Sequence, residues 1–426
     1  MKYVVLIIDG AAGWPAAAHG GRTSLEIAVT PNLDRLAREG RVGMVSNVPE
    51  GMEASSAIAC MSVMGFDPCL YYAGRGPIEA AAMGIELEPG QVAMRCNLVT
   101  VMDGRMASYS AGNISSAESA ELIAALQAGL GDGRSRFYPG VGFRHVLTVR
   151  DGEELLSTSF TPPHDIAGQA VDVSMPVGAG AAFALDLMER SKAILEGHTV
   201  NERRLARGKP PATQIWLFWP GMRPAQMPAF AGLYAGRKAA LTSPVDLLRG
   251  LAVQTGVDFL DIPGVTDGPD NDYAGQMKTA LAALAGHDVV FVHVESPDEA
   301  GHAGDAAGKV EAIEKVDALM VPQFLEAAAP GAPPRQGPAL GVGAGGKAEG
   351  WAAPAGGAGP DGFRLLVLPD HPTPLEIRTH VAEPVPFIMW GAGFQANGAS
   401  AYTEEAARAT GFAVAPGHLL MSMFLG

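Results

Sequence analysis

Apolar positions along this chain follow two rhythms. Short, nearly unbroken runs, rich in β-branched residues, occupy 3–8, 287–293 and 364–368, with a further run at 214–219. Runs of this length bounded by polar or turn residues are typical of strands buried on both faces. Residues 91–101 and 143–149 also predict strands, and 239–249 read as strand, turn and helix. Other stretches carry helical periodicity: 30–40, 55–65, 116–130, 181–195 and 309–325. In the first of these Thr30 is placed to cap, Pro31 suits the first helical position and Gly40 suits the end. Strands alternating with helices predict an α/β fold whose mostly parallel sheet is covered by helices on both faces, with 214–219 as one of its strands. Residues 328–362 are dominated by Gly, Ala and Pro, which cannot bury much apolar surface, and predict a flexible surface loop. The run Gly341-Val-Gly-Ala-Gly-Gly346 inside it opens no helix and is not read as a phosphate loop.

Several strand ends carry chemistry. The 3–8 run delivers Asp9 and Gly10 to its carboxyl end, where α/β proteins build their sites; a plain turn before Gly is the other reading of Asp9. The stretch Phe291-Val-His-Val-Glu-Ser-Pro-Asp-Glu-Ala-Gly-His302 ends in Asp298 and His302. On a helix begun at Pro297, that spacing puts a carboxylate and an imidazole on one face, a donor pair suited to a divalent transition metal. The competing reading is a solvated helix start with Asp298 as a cap. The 364–368 run delivers a second pair, Asp370 and His371, and His380 follows alone. Ser55 and Ser56 mark the start of the 55–65 helix; a hydroxyl there either caps the helix or serves as a nucleophile whose phosphorylated form the free N–H groups stabilise.

Composition narrows the classes. Lys plus Arg number 30 against 45 Asp plus Glu, a formal charge of −15, which argues against nucleic acid or an anionic membrane surface as partner. Three cysteines without a Cys-x-x-Cys spacing predict a reduced compartment and no disulfide framework. The opening apolar run is too short for a signal peptide, and no run approaches the ~20 residues of a membrane span, so a soluble cytoplasmic protein is expected.

A series of motifs then follows in order: Asp9-Gly10, the serine-started helix ending Gly65-Phe-Asp-Pro68, Tyr72-Ala-Gly-Arg-Gly-Pro-Ile-Glu-Ala-Ala81, Arg95-Cys-Asn-Leu-Val-Thr-Val101 and Tyr109-Ser-Ala-Gly-Asn-Ile114. With these the chain resembles the archaeal-type 2,3-bisphosphoglycerate-independent phosphoglycerate mutases of the alkaline phosphatase superfamily, over nearly its whole length except 328–362. The resemblance implies an alkaline-phosphatase-like core, 1–81 and 211–426, with an inserted α+β lid domain, 82–210. It implies two divalent metal ions (Mn2+, Zn2+, Co2+ or Mg2+) and no bisphosphoglycerate. Asp9, Ser56, Asp370 and His371 would hold one ion, and Asp298, His302 and His380 the other, with Ser56 as nucleophile. The implied reaction interconverts 3-phosphoglycerate and 2-phosphoglycerate through a phosphoserine, a step of glycolysis and gluconeogenesis. The insert would hold the glycerate through residues drawn from Asn113, Arg144, His145, His164 and Arg203. A small phosphorylated substrate is the implied partner, and a homo-oligomer is compatible with the chain. Where the family pattern has Asp, Asn or His, His and Lys, this chain has Ala57, Cys60, Asn113 and Gln276. Those positions fit an alternative, a metal-dependent phosphatase or phosphotransferase on another small phosphate ester. A metal-binding protein without catalysis is the reading from a different class.

Overall fold

The computed structural model describes residues 1–224, 227–329 and 362–426; the 328–362 segment, with its glycine run, falls almost wholly outside them. In chain order the strands are β1 Lys2–Ile8, β2 Arg41–Val45, β3 Val92–Met102, β4 Arg105–Ser108, β5 Ser135–Tyr138, β6 Arg144–Val149, β7 Gln214–Met222, β8 Ala239–Thr242, β9 Asp258–Phe259, β10 Val289–Val294, β11 Phe363–Leu368, β12 Val385–Gly391 and β13 Ala413–Val414. They form two sheets in two compact units, Met1–Tyr72 with Met227–Gly426, and Ala73–Gln226.

In the first unit eight strands run in the order β13-β2-β12-β11-β1-β10-β8-β9. Only β12 opposes its neighbours; every other pair is parallel. The mostly parallel sheet expected from the alternation is therefore present. β1 is central and buried almost throughout, which is why its residues are continuously apolar rather than alternating. Its register brings three strand ends level, with Ile8 opposite Val294 on one side and Ile7 opposite Leu368 on the other. The residues just beyond, Asp9, Glu295 and Asp370, consequently emerge at one edge of the sheet.

Two local expectations are corrected. The Pro31–Glu39 helix closes at Gly40 as read, but Thr30 makes no side-chain cap. The Asp317 carboxylate caps instead, accepting from the N–H groups of Asn32 (3.3 Å) and Leu33 (2.6 Å), a partner that local sequence cannot reveal. The 309–325 helix is instead Ala306–Lys315 and Val321–Ala328, joined by a five-residue π turn. Pro322 lacks the N–H of a regular ladder, and a π turn just before it absorbs that loss.

The second unit is an antiparallel sheet, β4-β3-β6-β5, with β7 paired to β3. Helices Ser116–Leu130 and Ala181–Leu195 contribute Leu122, Leu126, Leu187 and Leu195 to its core. The first is closed by a capping box between Ser115 and Glu118. The 214–219 run belongs here and not to the parallel sheet: Ile215, Trp216, Leu217 and Phe218 are buried in this core. A continuous apolar run predicts a central strand but not which sheet it enters. With β7 and the Gly76–Ala82 helix, segments 73–81 and 211–226 pack with the insert.

Candidate metal centre

Four segments of the first unit meet at the level strand ends. Asp9 leaves β1 on the left-handed Gly10 (φ +61°). A Cβ at Gly10 would stand 2.7 Å from Thr373 Oγ1 and 2.8 Å from Asp298 Cα, so only glycine lets these segments approach. Beyond β10, the Ser296–Ala303 helix takes Glu295 as its N-cap residue, which leaves Asp298 facing inward and buried. The cap reading of Asp298 is thereby overturned. Asp370 and His371 follow β11 and are buried with Asp9. Ser56 is the first residue of the Ser56–Val63 helix. No side-chain cap forms at that N-terminus; the Ser56 hydroxyl lies 3.2 Å from His371 Nε2.

The donors fall into adjoining groups. In the first, His302 Nε2 and His380 Nε2 lie 2.9 Å apart, and 3.1 and 3.5 Å from Asp298 Oδ2. Their Nδ1 atoms face the carbonyl oxygens of Arg378 (3.0 Å) and Ala54 (3.4 Å), which only accept. Each Nδ1 faces its carbonyl, which leaves Nε2 of both rings as the nitrogen turned toward Asp298. Two imidazole nitrogens and a carboxylate oxygen converging on one point make a cation site once a metal displaces the Nε2 protons. In the second group, Asp370 Oδ2 lies 3.2 Å and Asp9 Oδ1 3.8 Å from His371 Nε2. Asp9 Oδ1 is buried without a hydrogen-bond partner, as expected of a ligand atom. The His371 and His380 rings, one from each group, are 3.9 Å apart. Both groups fit a divalent ion.

Electrostatics agree with that fit. Burial, together with Asp370 and Glu295, pushes the Asp9 carboxyl well above its usual range. Burial would also raise Asp298, but the hydrogen bonds from His302 and His380 hold it well below. The hydrogen bond to Asp298 carries His302 up to about 9. Lys309, buried and pushed down to about 8 by that burial, donates to the carbonyls of Thr373 (2.6 Å) and Ala12 (3.2 Å). It ties together the loops that carry Asp9 and Asp370.

In the insert, Asn113 is exposed in a left-handed conformation (φ +50°), and Arg144 is exposed with its guanidinium over Phe143. His145 is buried, its Nδ1 accepting from the Gly140 N–H (3.0 Å) and its Nε2 without a partner. Arg203 is exposed and paired with Glu121 at 2.9 Å, whereas Arg204 is fully buried and clamps Glu118 and the Pro210 carbonyl. His164 packs beside Trp219, with ring centroids 5.6 Å apart. The same tryptophan carries the Arg75 guanidinium at 4.1 Å, and Arg75 and Arg95 both pair with Glu79. Sequence reasoning passed over this arginine pair, although both residues stand inside quoted motifs.

Comparison with known proteins decides the family. A model described as 2,3-bisphosphoglycerate-independent phosphoglycerate mutase matches residues 37–201, and a metalloenzyme superfamily model matches 360–425. The 2,3-bisphosphoglycerate-independent phosphoglycerate mutase of Methanothrix thermoacetophila is 43% identical over 425 residues, covering 100% of both chains. This chain belongs to the 2,3-bisphosphoglycerate-independent phosphoglycerate mutases. A probable mutase of the same name from Geobacter sulfurreducens is 42% identical, again over 100% of both chains. The mutase fold is shared with a solved Pyrococcus horikoshii protein, at a TM-score of 0.78 and 24% identity over 100% of this chain and 96% of that one. It is shared also with a cofactor-independent phosphoglycerate mutase from Thermoplasma acidophilum, at 0.63 and 23% over 100% and 99%.

The departures from the mutase pattern have definite places. Ala57 is buried behind Ser56, and the Cys60 thiol donates to Asp370 Oδ2 at 3.6 Å. Burial and Asp370 push that thiol well above its usual range, so it stays protonated. Gln276 is buried, its amide donating to the His293 carbonyl (2.9 Å) and accepting from Asn271. Among the described residues of this mutase no helix is long and apolar enough to cross a membrane.

Proposed function

We propose that this mutase interconverts 3-phosphoglycerate and 2-phosphoglycerate through a phosphoserine on Ser56, with two divalent ions, Mn2+ foremost, held by the two donor groups. The observation that carries the reading is the Ser56 hydroxyl beside His371, where Asp9, Asp370 and His371 adjoin Asp298, His302 and His380. Bound ions supply charge neutralisation for entering and leaving oxygens and lower the pKa of the serine hydroxyl. The protein does the rest. Ser56 Oγ gives up its proton and attacks phosphorus, the bond from phosphorus to the 3-oxygen breaks, and that oxygen takes up a proton in exchange and leaves as the hydroxyl of glycerate. Free N–H groups at the start of the Ser56–Val63 helix favour the phosphoserine so formed. Glycerate turns over, and its 2-hydroxyl attacks the phosphoserine, restoring Ser56. We assign to the insert the holding of glycerate between the transfers, through Arg144, Asn113 and His164 on its surface, with His145 and Arg203 supporting them. Water must be kept out meanwhile, or hydrolysis replaces isomerisation. The reaction is placed in cytoplasmic glycolysis and gluconeogenesis.

An enolase-coupled assay with Mn2+ and without bisphosphoglycerate tests this. Turnover by the parent, with Ser56→Ala lower by about 10^3-fold or more, is expected. Free phosphate released faster than the isomer would instead establish a phosphatase.

A further inference from the structure

Thr373 belongs to neither donor group, yet its side chain stands between them. It lies two residues beyond His371 and is fully buried. Its backbone is held on both sides. The N–H donates to the Ala12 carbonyl (3.0 Å), and the Thr373 carbonyl accepts from Lys309 Nζ (2.6 Å). Its side chain fits between two glycines. A Cβ at Gly10 would stand 2.7 Å from Oγ1, and one at Gly301 would stand 2.8 Å from Cγ2. Packing this close leaves the side chain little freedom to turn. The hydroxyl faces one residue of each group. It donates to Asp298 Oδ1, the carboxylate oxygen not turned toward His302 and His380. On the other side, His371 Nδ1 lies 3.4 Å away.

We propose that Thr373 is a positioning residue for both ion sites at once: its hydroxyl orients Asp298 in one and fixes the ring proton of His371 in the other. The inference rests on the two-ion reading above. A hydroxyl offers one proton and two lone pairs. The proton goes to Asp298, whose ionised carboxylate only accepts. Toward His371 the oxygen then has only a lone pair to offer, and its partner must be an Nδ1 proton. An imidazole that holds an ion through Nε2 keeps its proton on Nδ1. Nε2 of His371 is the nitrogen that faces Asp370 Oδ2 and the Ser56 hydroxyl, each at 3.2 Å. The run from His371 Nδ1 through the Thr373 hydroxyl to Asp298 Oδ1 thus favours, in both residues, the form that an ion requires. A valine of the same shape would leave Asp298 Oδ1 and His371 Nδ1 facing carbon, and buried polar groups without partners are costly.

The experiment uses the full chain, stripped by a chelator and titrated with Mn2+ alone, the free ion being read by its paramagnetic resonance signal. Thr373→Val keeps the shape and loses the hydroxyl; it should bind both ions about 10–100-fold more weakly than the parent. Thr373→Ser keeps the hydroxyl and loses the methyl; it should bind as the parent does. Absorption spectra of the Co2+-loaded proteins should fall in the same order, serine matching the parent and valine shifted. The opposite order, with serine the weaker binder, would assign Thr373 to packing against Gly301 and overturn the proposal. A folded Thr373→Val protein that binds both ions as the parent does, or that weakens only one of them, overturns it too. Where Thr373→Val fails to fold, Thr373→Ser and Thr373→Ala, which differ only in the hydroxyl, make the same comparison. A parent that takes fewer than two Mn2+ sinks the two-ion reading itself, whatever the order of the variants.

Discussion

At the scale of single residues, two histidines with opposite surroundings, one buried and one part-exposed, give opposite pH behaviour. His145 is almost wholly buried, and burial, helped by the nearby Arg95 charge, pushes it down to about 3. The folded insert therefore binds this proton less readily than the unfolded chain. His145 contributes stability that is fully present above about 6.5 and lost as the pH falls from there toward 3. Thermal unfolding followed from pH 7 to pH 4 should show the insert's midpoint falling. His145→Asn, whose side-chain oxygen can accept from Gly140, should flatten that slope; an unchanged slope would assign the acid sensitivity elsewhere. In the ion-free protein His302 behaves inversely. Raised to about 9 by Asp298, it contributes stability below about 6.5 that is lost as the pH climbs through 9. Reloading with Mn2+ should abolish this alkaline loss, because a ligating imidazole carries no proton on the metal-bound nitrogen. Much of this arrangement was legible from sequence, because Asp9, Asp298, Asp370 and His371 each follow an apolar strand. His380 was not legible from pattern, since it sits on an irregular segment and is placed by its contact with His302. The role of Ser56 stayed open for a different reason. Capping and nucleophile readings share one sequence signal; the absent cap bond removes the first, and the nearby His371 supports the second as a proposal.

At the scale of elements, the instructive failures lie where a partner comes from far along the chain. Ser116–Leu130 and Ala181–Leu195 were legible to the residue, because periodicity and length agreed. The cap at Pro31–Glu39 was misread because the capping carboxylate, Asp317, is 284 residues from Leu33. Replacing Asp317 by Ala strands two backbone N–H groups at the start of that helix. A loss of about 2 kcal/mol is expected in urea unfolding of the core. Thr30→Val, which removes only a hydroxyl that caps nothing, should cost no more than a few tenths. Equal losses from the two would show that the helix is capped locally after all. β7 was misplaced for a related reason: its run of buried residues would serve either sheet, and only its pairing with β3 decides.

At the scale of the whole molecule, the two units differ in what holds them. The insert has a continuous apolar core between sheet and helices. The first unit gathers Asp9, Glu295, Asp298 and Asp370 in its interior and relies on cations to offset them. Chelation should therefore lower the melting temperature of the first unit and leave the second where it was. The difference in stability is about 2.7 kcal/mol for an ion at 100 times its Kd. Hydrogen exchange resolved along the chain would check the assignment, and equal loosening of β3 and β1 would contradict it. The strand order carries a further consequence for how the protein is made. β1 lies between β10 and β11, whose first residues are Val289 and Phe363, whereas β3 to β7 are complete by Met222. At roughly 5–20 residues per second, a ribosome leaves the Tyr3–Ile8 segment waiting on the order of tens of seconds for either neighbour. A nascent chain halted once Gln226 has cleared the ribosome should already shelter the insert from protease while its first eight residues remain open to cleavage or to a chaperone.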